Sequence, residues 1–166
     1  MKYLFVVAFI FFTTVLFGQG EFETLATDQY SIKYPSTWEV NQTGQMGMAF
    51  GLFSPAGMQG DQFRENVNLI IQDISSQNLD LVDFVSLSEN QITTMIVDGN
   101  LLVSEKKDGY HQMIYTGTMG QYKLKFQQYY WVIGGNAYIL TFTAEQNQYD
   151  NYIGVAQQLM DSFEIR

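Results

Sequence analysis

The chain contains no cysteine, a single histidine, and only 8 lysines and arginines against 17 aspartates and glutamates. Without cysteine there are no disulfides, thiol nucleophiles, zinc-thiolate sites, c-type haem attachments or lipidated tether. The fold must stand on its apolar core, and 166 residues suffice for one domain. The shortage of basic residues leaves a formal charge of −9. Such a surface repels phosphate backbones and anionic lipid heads, which argues against nucleic-acid partners and electrostatic membrane binding. One histidine limits a Ser-His-Asp triad to a single possible base, and no nucleophile-elbow motif accompanies it. Neither a calcium loop of the EF-hand kind nor a paired-histidine zinc helix occurs, and Gly44, Gly47 and Gly51 do not match a phosphate-binding loop. No cofactor, no metal and no enzymatic activity are expected.

What is present begins with an address. Lys2, an apolar run from Tyr3 to Phe17, and the small residues Gly18 and Gly20 read as a cleaved secretory signal over residues 1–20. The run falls short of the roughly 20 apolar residues of a membrane span. The remaining 21–166 is then a single domain, exported to the periplasm or beyond, with no stable membrane anchor. Losing Lys2 makes it one charge more acidic.

The domain is organised around Tyr110 to Thr143, a meander of three antiparallel strands broken at Met119-Gly120 and at Gly134-Gly135-Asn136. Side-chain parity assigns the faces. With Met119-Gly120 as the turn, Tyr115–Leu124, Met113–Phe126 and His111–Gln128 share an apolar face. Thr116–Lys123, Ile114–Lys125 and Gln112–Gln127 share a polar one. Beyond the second turn, Tyr129, Trp131, Leu140 and Phe142 make the polar face apolar too. Moving that turn between Gly134-Gly135 and Gly135-Asn136 changes partners but not faces. A sheet apolar on both faces needs cover on both sides.

Other elements follow in order. Tyr30–Tyr34 alternates as a strand ended by Pro35. Trp38-Glu39-Val40 resumes an extended run, Met46–Phe53 reads as a glycine-softened strand, Asp61–Glu65 as a polar loop, and Val67–Ile74 as a strand. Leu81, Phe84, Val85, Ile92, Met95 and Ile96 fall on one helical stripe, capped by Asn78 or Asp80 and stopped by Asp98-Gly99. Leu101–Glu105 is a further strand. Tyr149, Tyr152, Ile153, Ala156, Leu159, Met160 and Phe163 form the seam of a last helix.

Tyr34-Pro35-Ser36-Thr37-Trp38, the Ser54-Pro55 loop, the Asn66-Val67-Asn68 strand and a final helix ending in Ser162-Phe163 occur in this order. From Tyr30 to Ile165 this arrangement resembles the PsbP-like family, whose fold is shared with Mog-type factors. The resemblance implies an α+β fold, an antiparallel sheet with helices on both faces. It implies no catalytic residue, since the family's roles diverge among photosystem subunit, GTPase-binding factor and bacterial exported proteins.

Two candidate binding features remain. His111 could act as base or ligand, but a half-buried strand histidine bonded to Gln128 or a carbonyl is the weightier reading. Tyr129-Tyr130-Trp131 could be an aromatic platform; its pairing with Leu140 and Phe142 favours burial of Tyr129 and Trp131. The expected role is a non-enzymatic interaction or assembly module whose partner is another envelope or secreted protein. The alternative is a small-ligand carrier with an aromatic-lined pocket near Trp131, Phe142 and Phe126.

Overall fold

The computed structural model describes residues 21–57 and 63–166. The expected signal over 1–20 lies outside the described residues, as does the start of the Asp61–Glu65 loop. Ten strands and two α-helices follow: β1 Phe22–Ala26, β2 Tyr30–Pro35, β3 Glu39–Asn41, β4 Met48–Phe53, β5 Asn66–Asp73, α1 Leu81–Met95, β6 Val97–Lys106, β7 His111–Met119, β8 Tyr122–Ile133, β9 Asn136–Glu145, α2 Tyr149–Asp161 and β10 Glu164–Ile165. Seven strands form one antiparallel sheet in the order β3-β4-β5-β9-β8-β7-β6, and β1, β2 and β10 form a second. β2 therefore does not extend the meander, and two strands unmarked in the sequence, β1 and β10, flank it.

Parity along β8 explains the layers. Tyr129 and Tyr130 are both 3 % exposed yet belong to different cores. Tyr129 packs with Leu140, Phe142, Leu69 and Leu52 under α2. Tyr130 packs with Met113, Phe126, Phe84 and Ile92 under α1. The α+β sandwich with cover on both faces is thus formed as the alternation requires.

The first hairpin turns one residue later than expected, at Gly120-Gln121, because Gly120 takes φ 61° at the first central position of the turn. Partners slide by two, so Tyr115 faces Phe126 and His111 faces Tyr130, but every face assignment is kept. The second hairpin uses Gly134-Gly135, at φ 59° and 78°, which suits a turn needing two left-handed residues.

Asp80 caps α1, accepting from the Asp83 backbone N–H at 2.9 Å. The helix ends at Met95, and Asp98-Gly99 lies inside β6 as a bulge, not as a helix stop. β6, the free edge on that side, carries a second bulge between Leu101 and Val103; the other edge, β3, has three residues. Both devices disfavour edge-to-edge pairing. β4 begins at Met48 because Gly44, Met46 and Gly47 adopt positive φ in the preceding turn. The Tyr-Pro-x-x-Trp segment is a corner: the Trp38 N–H donates to the Pro35 carbonyl at 2.9 Å, and the indole is buried under α2.

Candidate functional site

α1 packs on β6, β7 and β8, leaving its other flank open toward β9 and β5. The groove along this flank encloses about 380 Å³. Ile70, Ile139 and Tyr130 form one register row of its floor. Gln128 stands in the next row, where its Nε2 donates to Thr141 Oγ1 at 2.9 Å while its Oε1 accepts from the Tyr130 hydroxyl. Leu87, Gln91 and Met95, four residues apart on α1, make the wall, and Gln77 and Leu79 close one end.

No charged residue lines this groove, although the chain carries −9. Burial pushes the hydroxyls of Tyr115 and Tyr130 far above the usual tyrosine value, so both stay neutral. Glutamine amides, Ser88 and neutral tyrosines bind by hydrogen bonding and offer no group poised to move a proton near pH 7.

Across the helix, His111 Nε2 lies 2.7 Å from Ser104 Oγ, and Ser104 also bonds Glu89 Oε1. Ser104 has one hydroxyl proton and gives it to the carboxylate, so Nε2 carries the proton shared with Ser104. In a nucleophile–base–carboxylate triad the histidine bridges the other two; here Ser104 stands in the middle, bonded to both Glu89 and His111, so no histidine base is placed to receive its proton. Burial lowers the pKa of His111, while Glu89 acts in the opposite direction. The arrangement links α1 to β6 and β7. Among the described residues no group of three or more His, Asp or Glu is placed to hold a metal ion.

Trp131 lies on the α2 face and is half-buried, 5.6 Å from Tyr110 and 5.3 Å from Phe163 between ring centroids. Phe142 and Phe126 are buried, so the aromatic-lined pocket expected at Trp131, Phe142 and Phe126 is filled, and the open volume is beside α1 instead. Below α2, buried Gln127 accepts from the Tyr149 hydroxyl at 3.1 Å and donates to Gln157 at 2.8 Å; Gln157 donates to the Tyr129 hydroxyl at 2.6 Å. This network fastens α2 to the sheet.

Four tyrosines hidden in the two cores give a pH prediction. Burial raises Tyr115, Tyr129 and Tyr130, and raises Tyr149 to about 12. Their folded values lie above the unfolded value of about 10. The stabilisation is therefore complete below pH about 10 and is lost as pH rises from there through the folded values. Phenolate absorbance should show these four titrating together with loss of circular dichroism. Titration of all tyrosines near pH 10 in a still-folded protein would contradict their burial.

Neither a family model nor a curated protein matches the chain. Solved structures do. The cyanobacterial PsbP protein of Synechocystis sp. PCC 6803 (CyanoP) matches with TM-score 0.62 at 15 % identity, over 90 % of this chain and 96 % of that one. The chain has the PsbP-like fold. A second structure with this PsbP-like arrangement is PA94 of Pseudomonas aeruginosa, a protein of unknown function, at TM-score 0.62 and 14 % identity over 89 % and 99 % of the two chains. LpqN of Mycobacterium tuberculosis, involved in cell envelope biogenesis, matches at TM-score 0.59 and 9 % identity over 87 % and 90 %. At these identities the PsbP-like likeness concerns architecture. Among the described residues no helix is long and apolar enough to cross a membrane.

The groove was hidden in the sequence because Gln72, Gln77, Gln91 and Gln128 come from four separate segments. One signal was readable: parity puts Gln128, an amide, on the largely apolar face that it shares with His111.

Proposed function

We propose that this PsbP-like protein is an exported accessory module that binds another envelope or secreted polypeptide and performs no chemistry itself. The neutral lining of the groove carries this reading, since it can hold a partner but has no side chain suited to acid–base work. The N-terminal leader pattern supports export, and the involvement of LpqN in cell envelope biogenesis supports the same compartment. The half-exposed pair Tyr110 and Trp131 is a secondary contact candidate on the opposite face. Tyr129 and Tyr130, both buried, would serve by holding the two layers, and His111 by tying α1 down.

A small-ligand carrier is the second reading, favoured by the groove volume, which falls in the usual range of about 300–1,000 Å³ for ligand sites. Native mass spectrometry of the processed protein from its host's envelope separates the two. A defined complex with one polypeptide supports the accessory module. Small-molecule mass retained through desalting on an otherwise unpartnered protein replaces it with the carrier.

A further inference from the structure

Resting on the accessory-module reading, we infer that the groove beside α1 docks an extended, uncharged segment of the partner polypeptide, held by the side-chain amides of Gln72, Gln91 and Gln128. Charge is the first argument. The lining is neutral in an acidic chain, so a charged segment would give up hydration without meeting a counter-charge.

Chemistry is the second argument. A glutamine amide carries both donor and acceptor, as a peptide unit does, and can pair with a backbone whatever its side chains. Gln72, Gln77 and Gln91 make no side-chain hydrogen bond among the described residues, and Gln128 keeps a second N–H and a second lone pair beyond its bonds to Thr141 and Tyr130. Ile70 and Ile139 below and Leu87 and Met95 beside offer apolar contact to alternate side chains of an extended strand.

Shape is the third. Leu87 is 47 % and Met95 77 % exposed, so the wall is a rim open to solvent. A small ligand is ordinarily enclosed on most of its surface. An open trough suits a segment that enters and leaves. Docking of this kind also differs from strand addition, which the bulged edge of β6 and the three-residue β3 oppose.

The test is a titration of the isotope-labelled processed protein with short acetylated, amidated peptides. One set is uncharged, alternating small and branched apolar residues; a matched set carries glutamates. The uncharged set should shift the side-chain amide resonances of Gln72, Gln91 and Gln128. Affinity should fall about tenfold or more in Leu87→Glu and in Gln91→Glu, two exposed positions whose substitution should leave the melting temperature unchanged. The inference is overturned if the acidic set binds equally, if neither set shifts these resonances, or if the two substitutions change nothing. Shifts produced by dodecyl maltoside but by no peptide would reassign the groove to a small amphiphile. A polypeptide complex that survives Leu87→Glu would remove the groove assignment and leave the accessory module standing. Groove binding of peptides without any polypeptide partner in the envelope would remove the accessory module instead.

Discussion

Gly99→Ala is expected to destabilise the protein by about 3 kcal/mol or more, the upper end of overpacking costs. A methyl group at this position would stand 2.0 Å from the Ile92 carbonyl oxygen and 2.9 Å from that of Ile96. Both obstacles are main chain, so no rotamer change relieves them. The Gly99 N–H also donates to the Ile96 carbonyl at 2.9 Å, and neighbouring Asp98 already adopts φ 54°. The connection from α1 into β6 has nowhere to move without loosening the helix from the sheet. For a chain of this size such a loss lowers the melting temperature by roughly 6–12 °C. Gly154→Ala is the contrasting substitution. It lies in α2, where the added carbon would meet nothing within 4 Å beyond its chain neighbours and the helix's own backbone, and should stabilise by about 0.5–1 kcal/mol. Urea denaturation of both variants measures the difference. Equal midpoints would mean that the α1–β6 corner is not closed as described.

Phe142→Ala should cost about 3–5 kcal/mol, as truncations of fully buried rings do. Phe142 is 0 % exposed on β9, between the strands β5 and β8, with Val67 and Gln127 as its cross-strand partners. Its ring centroid lies 5.4 Å from that of Tyr149 on α2. Truncation leaves a cavity walled by strand on two sides, where collapse is restricted. It also removes support from the Gln127–Tyr149 hydrogen bond. Leu102→Ala, at an exposed bulge residue of β6, should stay within about 0.5 kcal/mol. If both variants lose stability equally in denaturant titrations, the core under α2 is not the centre of this fold.

These residues also show why much of the fold was readable in sequence. The faces of Phe142, Tyr129 and Tyr130 depend only on odd or even spacing, so a hairpin displaced by two partners leaves every face correct. The turn itself was misplaced by one residue because glycine at 120 serves either position of a tight turn, and only backbone geometry decides which. The α1 stripe was legible at Phe84, Val85 and Ile92, but its end was not. Asp98-Gly99 looks like a helix stop, whereas the close approach of two carbonyls, invisible in sequence, makes it a bulge. β1 and β10 gave no signal, being short and largely exposed; pairing with β2 creates them. For the site, His111 and Gln128 were marked on the apolar face, but their partners were not. His111 meets Ser104, seven residues back, by strand pairing, and the groove's amides meet only once the layers are stacked.

The placement of β2 between β1 and β10 bears on the order of events in folding. Ser31 pairs with Ala26 on one side and with Glu164 on the other. The first of these contacts joins residues close in sequence, whereas the second must wait until the chain has been made as far as Glu164. Sequence separation of this size slows closure. The small sheet is therefore a completion latch. A nascent or partly threaded chain holds only half of it, and the last two-residue strand, backed by the Arg166 N–H donating to the Gln29 carbonyl at 2.9 Å, joins the end of the domain to its beginning.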